Sequence, residues 1–235
     1  VNIAGGVCYF LWQRDRTEDC EIVNVKKDNK VKMKRSLNEF PFLVRDNISV
    51  RIIRKILSFK EPIMADIVKS RNSFGVPTTF KGSNSIKEVR VLTSRGETWA
   101  NRSEINDRDN ILDKYKVITT YAMSGGHKPS ADGDYMVLSS LNVIKPGEAF
   151  SETYLCIGDF DDKIHADNLL IYSSTKFFRF LLLQALTSIH ITKDKFLFVP
   201  IQDFSKPWTD QELYKKYDLS QDEIDFIESM IKPIE

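Results

Sequence analysis

The chain has 235 residues, of which 42% are hydrophobic and 11% are aromatic, enough for one large domain or a domain with an appendage. Its longest apolar run, residues 177–186, contains Arg179 and Gln184 and is too short for a membrane-spanning helix, which needs ~20 apolar residues. The three cysteines are scattered and form no Cys-x-x-Cys pair, so we expect reduced thiols, a cytoplasmic protein and no zinc site.

A net charge of +1 conceals an uneven distribution of the charged side chains. Residues 1–130 hold 24 Lys and Arg against 15 Asp and Glu, a balance of +9, whereas residues 131–235 hold 10 against 18, a balance of −8. This asymmetry favours a polyanion as the partner of the first half, although ordinary solvated faces would give a similar pattern. The chain starts at Val1 without an initiator Met, and we expect it to be a fragment of a longer protein.

The first 35 residues are predicted to form a hairpin followed by a linker. Residues 7–12 and 20–25 are rich in aromatic and β-branched side chains, and we expect them to pair across a polar turn. Residues 26–35 carry six cations against one acid, which is typical of a basic linker.

The remaining elements predict an α/β fold with a mixed, largely antiparallel sheet and packed helices. Asp46 or Asn47 can cap a helix that ends near Ser58, and a shorter helix should follow Pro62. Loops are expected at residues 70–80 and 123–134. Strands are predicted at residues 89–93, 98–102, 116–121, 136–139, 153–157 and 196–199. Helices are predicted at residues 166–186, with a break near 173–175, and after two capping boxes at residues 209–212 and 220–223.

No complete catalytic motif is present in the sequence. There is no Gly-x-Ser-x-Gly, no phosphate-binding glycine loop, and no Pro-Pro pair, which excludes the Asp/Asn-Pro-Pro-Tyr/Phe tetrapeptide of amino-methyltransferases. Glu152 followed by Asp161, Asp162 and Lys163 is a short pattern that could hold Mg²⁺ in a nuclease. The same acids could simply occupy a turn and the start of a helix.

Three segments contain residues suited to DNA. Lysines would contact phosphates, while arginine and short polar side chains would contact base edges. The candidates are Lys26, Lys27, Lys32 and Lys34 in the basic segment, Arg71, Asn72, Thr78 and Thr79 in the first loop, and Ser124, Gly125, His127 and Lys128 in the second. Alternatively, Arg71 could pair with a carboxylate, Asn72 could cap a turn and Phe74 could anchor its loop in the core.

Seven tracts, spread over nearly the whole chain, carry a resemblance to a known family. The first runs from Ile3-Ala4-Gly5-Gly6 to Trp12-Gln13-Arg14-Asp15. The others are Arg45-Asp46-Asn47, Ser70-Arg71-Asn72-Ser73-Phe74-Gly75, Glu152-Thr153-Tyr154-Leu155, Thr175-Lys176-Phe177-Phe178-Arg179-Phe180, Phe198 to Phe204 and Trp208 to Pro233. In content and order these tracts resemble adenine-specific DNA methyltransferases of bacterial restriction–modification systems, and the first is similar to the last hairpin of their catalytic domain.

The resemblance implies a parent enzyme that transfers a methyl group from S-adenosylmethionine to the amino group of adenine. It implies that residues 1–35 are a remnant hairpin of the catalytic domain with a linker, and that residues 36–235 are a target-recognition domain, similar to the TaqI-like specificity domain, with C-terminal helices. The cofactor would bind the upstream catalytic domain and not this chain, whose partners would be duplex DNA and that domain. Alternatives are a specificity subunit of a multi-subunit restriction system, a metal-dependent nuclease, and a protein-interaction module.

Overall fold

A computed structural model describes residues 8–26, 29–83, 87–123, 129–130, 133–138 and 140–234. These residues form a mixed α/β fold with five α-helices and three small, mostly antiparallel sheets, which confirms the predicted fold class. The strands are β1 (Cys20–Lys26), β2 (Asn29–Arg35), β3 (Val89–Thr93), β4 (Gly96–Ala100), β5 (Tyr115–Thr120), β6 (Leu141–Ile144), β7 (Glu148–Phe150) and β8 (Tyr154–Phe160). The helices are α1 (Asn47–Ser58), α2 (Lys163–Ser174), α3 (Lys176–Ala185), α4 (Asp210–Lys216) and α5 (Gln221–Met230). Within these ranges, no helix is both long enough and apolar enough to cross a membrane.

The sheet β6-β5-β8 separates two hydrophobic cores. Successive side chains of a strand point to opposite faces of its sheet. Val117 of β5 and Leu155 of β8 therefore pack on the side of the helices, in the larger core. Ile118 and Cys156 pack on the other side, in a smaller core with the sheet β4-β3-β7, in which β7 is parallel to β3. The smaller core also receives side chains from the loop of residues 70–80, so the sheet determines where that loop lies.

The N-terminal hairpin differs from the predicted one. β1 pairs with β2, and the described residues 8–12, which the sequence predicts to pair with residues 20–25, form no strand. Residues 26–35, predicted as a linker, supply β2. Because Lys30, Lys32 and Lys34 alternate with the apolar Val31 and Met33, the high lysine content is compatible with a strand whose charges face solvent.

Asn47, at the start of α1, holds this two-stranded ribbon against the helix. Its side-chain amide donates hydrogen bonds to the carbonyls of Ile22 and Val31, at 2.9 and 3.0 Å, and its Oδ1 accepts one from Nε of Arg35. Its backbone N–H donates to Oδ1 of Asn24 at 2.7 Å. The Asn47 side chain is fully buried, so these bonds have no competition from water.

Replacing Asn47 by alanine should lower the free energy of unfolding by about 2 kcal/mol, because a buried carbonyl that loses its donor costs more than an exposed one. Urea denaturation followed by circular dichroism measures this loss. Asn142→Ala, on the exposed side of β6, is the matched control and should change stability by less than about 0.5 kcal/mol. Equal denaturation midpoints for the two variants would contradict the anchoring role.

The helix boundaries set by local capping are confirmed. Oδ1 of Asp46 accepts a hydrogen bond from the N–H of Ile48 at the start of α1. Thr175 divides α2 from α3, at the break that the sequence predicts, and its hydroxyl accepts from the N–H of Phe178. Both predicted capping boxes, at Thr209 and Ser220, form and begin α4 and α5.

Other predicted elements are wrong in type or in length. The helix expected after Pro62 is one 3-10 turn, Met64–Asp66. No strand forms at residues 196–199, where Phe196 ends a second 3-10 turn, Lys193–Phe196. No strand forms at residues 136–138, while Ser139 lies outside the described residues. At residues 136–138 and 196–199 the buried apolar side chains fill the larger core, but the backbone does not pair in a sheet. A short apolar run in the sequence does not by itself show whether a buried segment is a strand.

Candidate nucleic-acid interface

The outward face of the β1-β2 ribbon carries a row of lysines, which we call the lysine face: Lys30, Lys32 and Lys34. All three are exposed, whereas Val31 and Met33 between them are partly buried. Alternate residues of a strand are ~7 Å apart, so the face presents three evenly spaced positive charges. The sequence-based selection included Lys32 and Lys34 but missed Lys30, which strand alternation would have identified.

The lysines of this face are at most weakly engaged by other parts of the chain. Nζ of Lys34 lies 2.9 Å from Oε2 of Glu18, an exposed carboxylate that Arg16 also contacts. Such exposed pairs contribute little and exchange readily. Across the described ranges, neither Lys30 nor Lys32 forms an ion pair. Lys26 is the last residue of β1 and Lys27 lies outside the described residues, so their contribution stays a prediction.

Apolar anchors fix the middle of the loop of residues 70–80. Phe74 is fully buried and its ring meets that of Phe150 edge to face, with centroids 4.9 Å apart. The Phe74 carbonyl accepts a hydrogen bond from the N–H of Asn106 at 3.0 Å. Gly75 has a φ of +67°, and a Cβ there would lie 3.0 Å from Cβ of Asn106. Phe74 is thus a core anchor, and Gly75 permits the close approach to Asn106.

Arg71 lies at the exposed start of this loop and is held by Glu152. Its Nη2 is 3.4 Å from Oε2 of Glu152, and its Nε donates to the carbonyl of the same residue at 3.3 Å. The guanidinium also lies over the ring of Tyr121, 4.4 Å from the centroid. The alternative that Arg71 pairs with a carboxylate is therefore correct, yet the side chain stays 45% exposed and keeps a surface for a ligand.

Asn72 has a strained backbone and an unsatisfied amide oxygen. Its φ is +67°, and its carbonyl accepts the hydrogen bond from Gly75 that closes a turn. Oδ1 of Asn72 is buried and has no hydrogen-bond partner in the described structure. A buried amide oxygen without a donor is costly, and the Asn72 side chain would have to turn outward before this oxygen could contact a bound molecule.

Thr78 and Thr79 form the turn that ends the loop. The N–H of Thr78 donates to Oε1 of Glu152 at 3.3 Å, and the N–H of Glu152 donates to the carbonyl of Val76 at 2.9 Å. Thr79 is exposed. Glu152 thus contacts both ends of the loop, and the turn is positioned by the same carboxylate that holds Arg71.

The second predicted loop begins beside Arg71. Ser124, Gly125, His127 and Lys128 lie outside the described residues. The chain that leads to them is described: the N–H of Met123 donates to the carbonyl of Ile189 at 2.9 Å, and Ala122 forms a bridge with His190. Because Tyr121 contacts Arg71, the start of the loop of residues 70–80 lies beside the segment that leads into the predicted loop of residues 123–134.

Glu152 and Asp162, two of the carboxylates considered for Mg²⁺, have structural roles, and Glu152 is the partner of Arg71. Asp159, two residues before Asp161, pairs with Lys69 at 2.7 Å and Lys114 at 2.9 Å. Burial alone would raise the pKa of the Asp159 carboxyl, but the hydrogen bonds and charges of the two ammonium groups hold it below its ordinary value. Asp162 caps α2, accepting from the N–H of His165 at 3.0 Å. The described part of the chain contains no group of three or more side chains placed to hold a metal ion.

No known family model and no curated protein matches this chain. Its function is therefore inferred from the resemblance of its sequence tracts and from the geometry of the described surface.

Proposed function

We propose that this chain binds duplex DNA as the target-recognition domain of an adenine-specific DNA methyltransferase of a bacterial restriction–modification system. The observation that carries the proposal is the lysine face, because it places three exposed cations on a two-stranded ribbon. The major groove of B-DNA admits a ribbon of that kind, and lysines neutralise the phosphates that border it. The protein would act in the cytoplasm of a bacterial cell, where it would meet DNA.

Sequence readout is assigned to the loop of residues 70–80 and to the loop that follows Met123. Arginine can bond both acceptors of guanine, and asparagine can pair with adenine through one donor and one acceptor. Arg71 is exposed and oriented by Glu152, and Asn72 follows it directly in the same loop. A rigid support for such side chains increases affinity, because less motion is lost on binding.

The catalytic domain of the parent protein is proposed to cover the exposed segment at residues 8–12. Tyr9 is 93% exposed and Trp12 is 74% exposed, with Phe10 and Leu11 between them at 86% each. Contiguous apolar side chains in water are characteristic of a surface that another domain or protein covers. S-adenosylmethionine would bind that catalytic domain, so we expect no saturable heat when it is titrated into this chain alone.

The direct test is binding of the chain to a labelled duplex at several salt concentrations, measured by fluorescence anisotropy. Affinity should fall steeply as salt increases, because phosphate contacts release counterions. Absence of binding even at low salt would refute the proposal. Binding that does not change with salt would also contradict it, since it would mean that the lysine face is not used.

Arg71→Ala and Asn72→Ala, made in the full-length parent, should each relax the preference at one base position by ~1–3 kcal/mol. Methylation of the cognate site and of singly substituted sites measures this change. Arg95→Ala, in the exposed turn between β3 and β4, is the matched control for Arg71. A uniform loss over all sites would instead assign Arg71 to the phosphate backbone.

A further inference from the structure

Arg71, Tyr121 and His190 form a continuous stack on the surface, which we call the stacking column. The Arg71 guanidinium lies 4.4 Å from the centroid of the Tyr121 ring, and the ring of His190 is 4.9 Å from the same centroid at an interplanar angle of 29°. Both groups therefore lie against the ring of Tyr121. Among the described residues the column ends on the face of the exposed His190 ring that is turned away from Tyr121, which we call its outer face.

Backbone hydrogen bonds fix the column from two sides. The N–H of Tyr121 donates to the carbonyl of Thr153 at 2.8 Å, and Thr153 directly follows Glu152, which holds Arg71. The N–H of Ile191 donates to the carbonyl of Tyr121 at 2.8 Å, which places His190 beside it. The three side chains are thus positioned before any ligand binds, which lowers the entropic cost of stacking on them.

The imidazole of His190, at the exposed end of the column, is free to contact a ligand. His190 is exposed, and its ring nitrogens donate and accept no hydrogen bond within the described ranges. Flat aromatic and imidazole rings of this kind stack with nucleobases that have left a duplex. A cationic ligand is disfavoured because Arg71 lies in the same column.

We propose that the outer face of His190 stacks with a single unpaired nucleobase of the bound DNA. This inference rests on the proposed function and deepens it. Enzymes that modify a base in duplex DNA rotate it out of the helix, which leaves the opposite base without a partner. The stacking column includes Arg71 of the candidate readout loop, so its outer end at His190 offers a place for that opposite base while the adenine is in the catalytic domain.

The test uses the 235-residue chain and two duplexes of one sequence. In one, a 2-aminopurine is paired with thymine; in the other, it faces an abasic site and is unpaired. The wild-type chain should bind the second duplex about tenfold more tightly and quench its fluorescence. His190→Ala should abolish both the preference and the quenching, whereas His190→Phe should retain them because it keeps a flat ring. His165→Ala, at a histidine stacked on Phe160 outside the column, is the matched control and should behave as wild type.

The outcomes separate the two proposals. Failure of the wild-type chain to bind either duplex would overturn the proposed function and this inference together. Equal, salt-dependent binding of both duplexes would leave DNA binding in place and overturn the stacking role. A preference that survives in His190→Ala would likewise overturn it, provided that circular dichroism shows the variant to be folded.

Discussion

Reversing the lysine face, by Lys30→Glu, Lys32→Glu and Lys34→Glu together, should weaken binding to duplex DNA about hundredfold at low salt. Each lysine that neutralises a phosphate contributes roughly 0.9 to the slope of log affinity against log salt, so the slope should fall by about 3. The loss should be the same for every DNA sequence, because phosphate contacts carry no sequence information. Anisotropy titrations of several unrelated duplexes, each at four or more salt concentrations, measure both quantities.

The matched control moves the same charge change to another surface. Lys193, Lys215 and Lys232 are exposed and belong to the acidic second half of the chain. Reversing either set of three lysines changes the net charge from +1 to −5, since each Lys→Glu change lowers the net charge by two units. If both triple variants lost affinity equally, net charge would explain the result and the lysine face would have no special role. A loss confined to one DNA sequence would show that the ribbon reads bases.

Local signals in the sequence predicted where α1, α3, α4 and α5 begin. The cap of α1 at Asp46, the break at Thr175 and the boxes at Thr209 and Ser220 each depend on side chains within three residues of the backbone groups they satisfy. Such contacts need no knowledge of the rest of the fold. The hairpin of β3 and β4 was predicted for the same reason, since its turn at residues 94–95 is short.

Pairing between distant segments was less predictable. Residues 8–12 have the composition of a strand, yet β1 pairs with the lysine-rich β2, because the choice between partners depends on Asn47 and its buried hydrogen bonds. β6 and β7 are four and three residues long, too short for a clear alternation in the sequence. β5 is buried on both faces although three of its six residues, Lys116, Thr119 and Thr120, are polar, so its burial does not follow from its composition either.

The candidate site was only partly predictable. The cations and the polar loop containing Arg71 and Asn72 are visible in the sequence, because composition alone identifies them. Tyr121 and His190 carry no such signal, since their meaning depends on a stack between segments that are 69 residues apart. The carboxylate that holds Arg71 was noticed as Glu152 but considered for Mg²⁺, because its partner is 81 residues away in the chain.

The smaller core positions the readout loop, and a buried lysine supports that core. Lys116 of β5 is completely buried. Its Nζ lies 2.6 Å from the carbonyl oxygen of Lys114, 2.9 Å from that of Leu112 and 3.1 Å from those of Ile111 and Lys145. Burial lowers the pKa of the Lys116 amine to about 8, so the group stays mostly protonated at neutral pH and donates to these carbonyls. It thereby joins β5 to the two loops that close the smaller core.

Lys116→Met should therefore lower the free energy of unfolding by about 3 kcal/mol, because it preserves most of the side-chain volume but removes the donor from a cluster of buried carbonyls. Urea denaturation at pH 7 measures the loss, and Lys145→Met, at an exposed lysine in the adjoining turn, is the control with an expected change under about 0.5 kcal/mol. Since Phe74 packs in the same core, the variant should also weaken sequence preference in the full-length parent while leaving the salt dependence set by the lysine face unchanged. A loss of stability below about 1 kcal/mol would mean that water satisfies the carbonyls equally well. The support of the readout loop would then have to come from Phe74 and Glu152 alone.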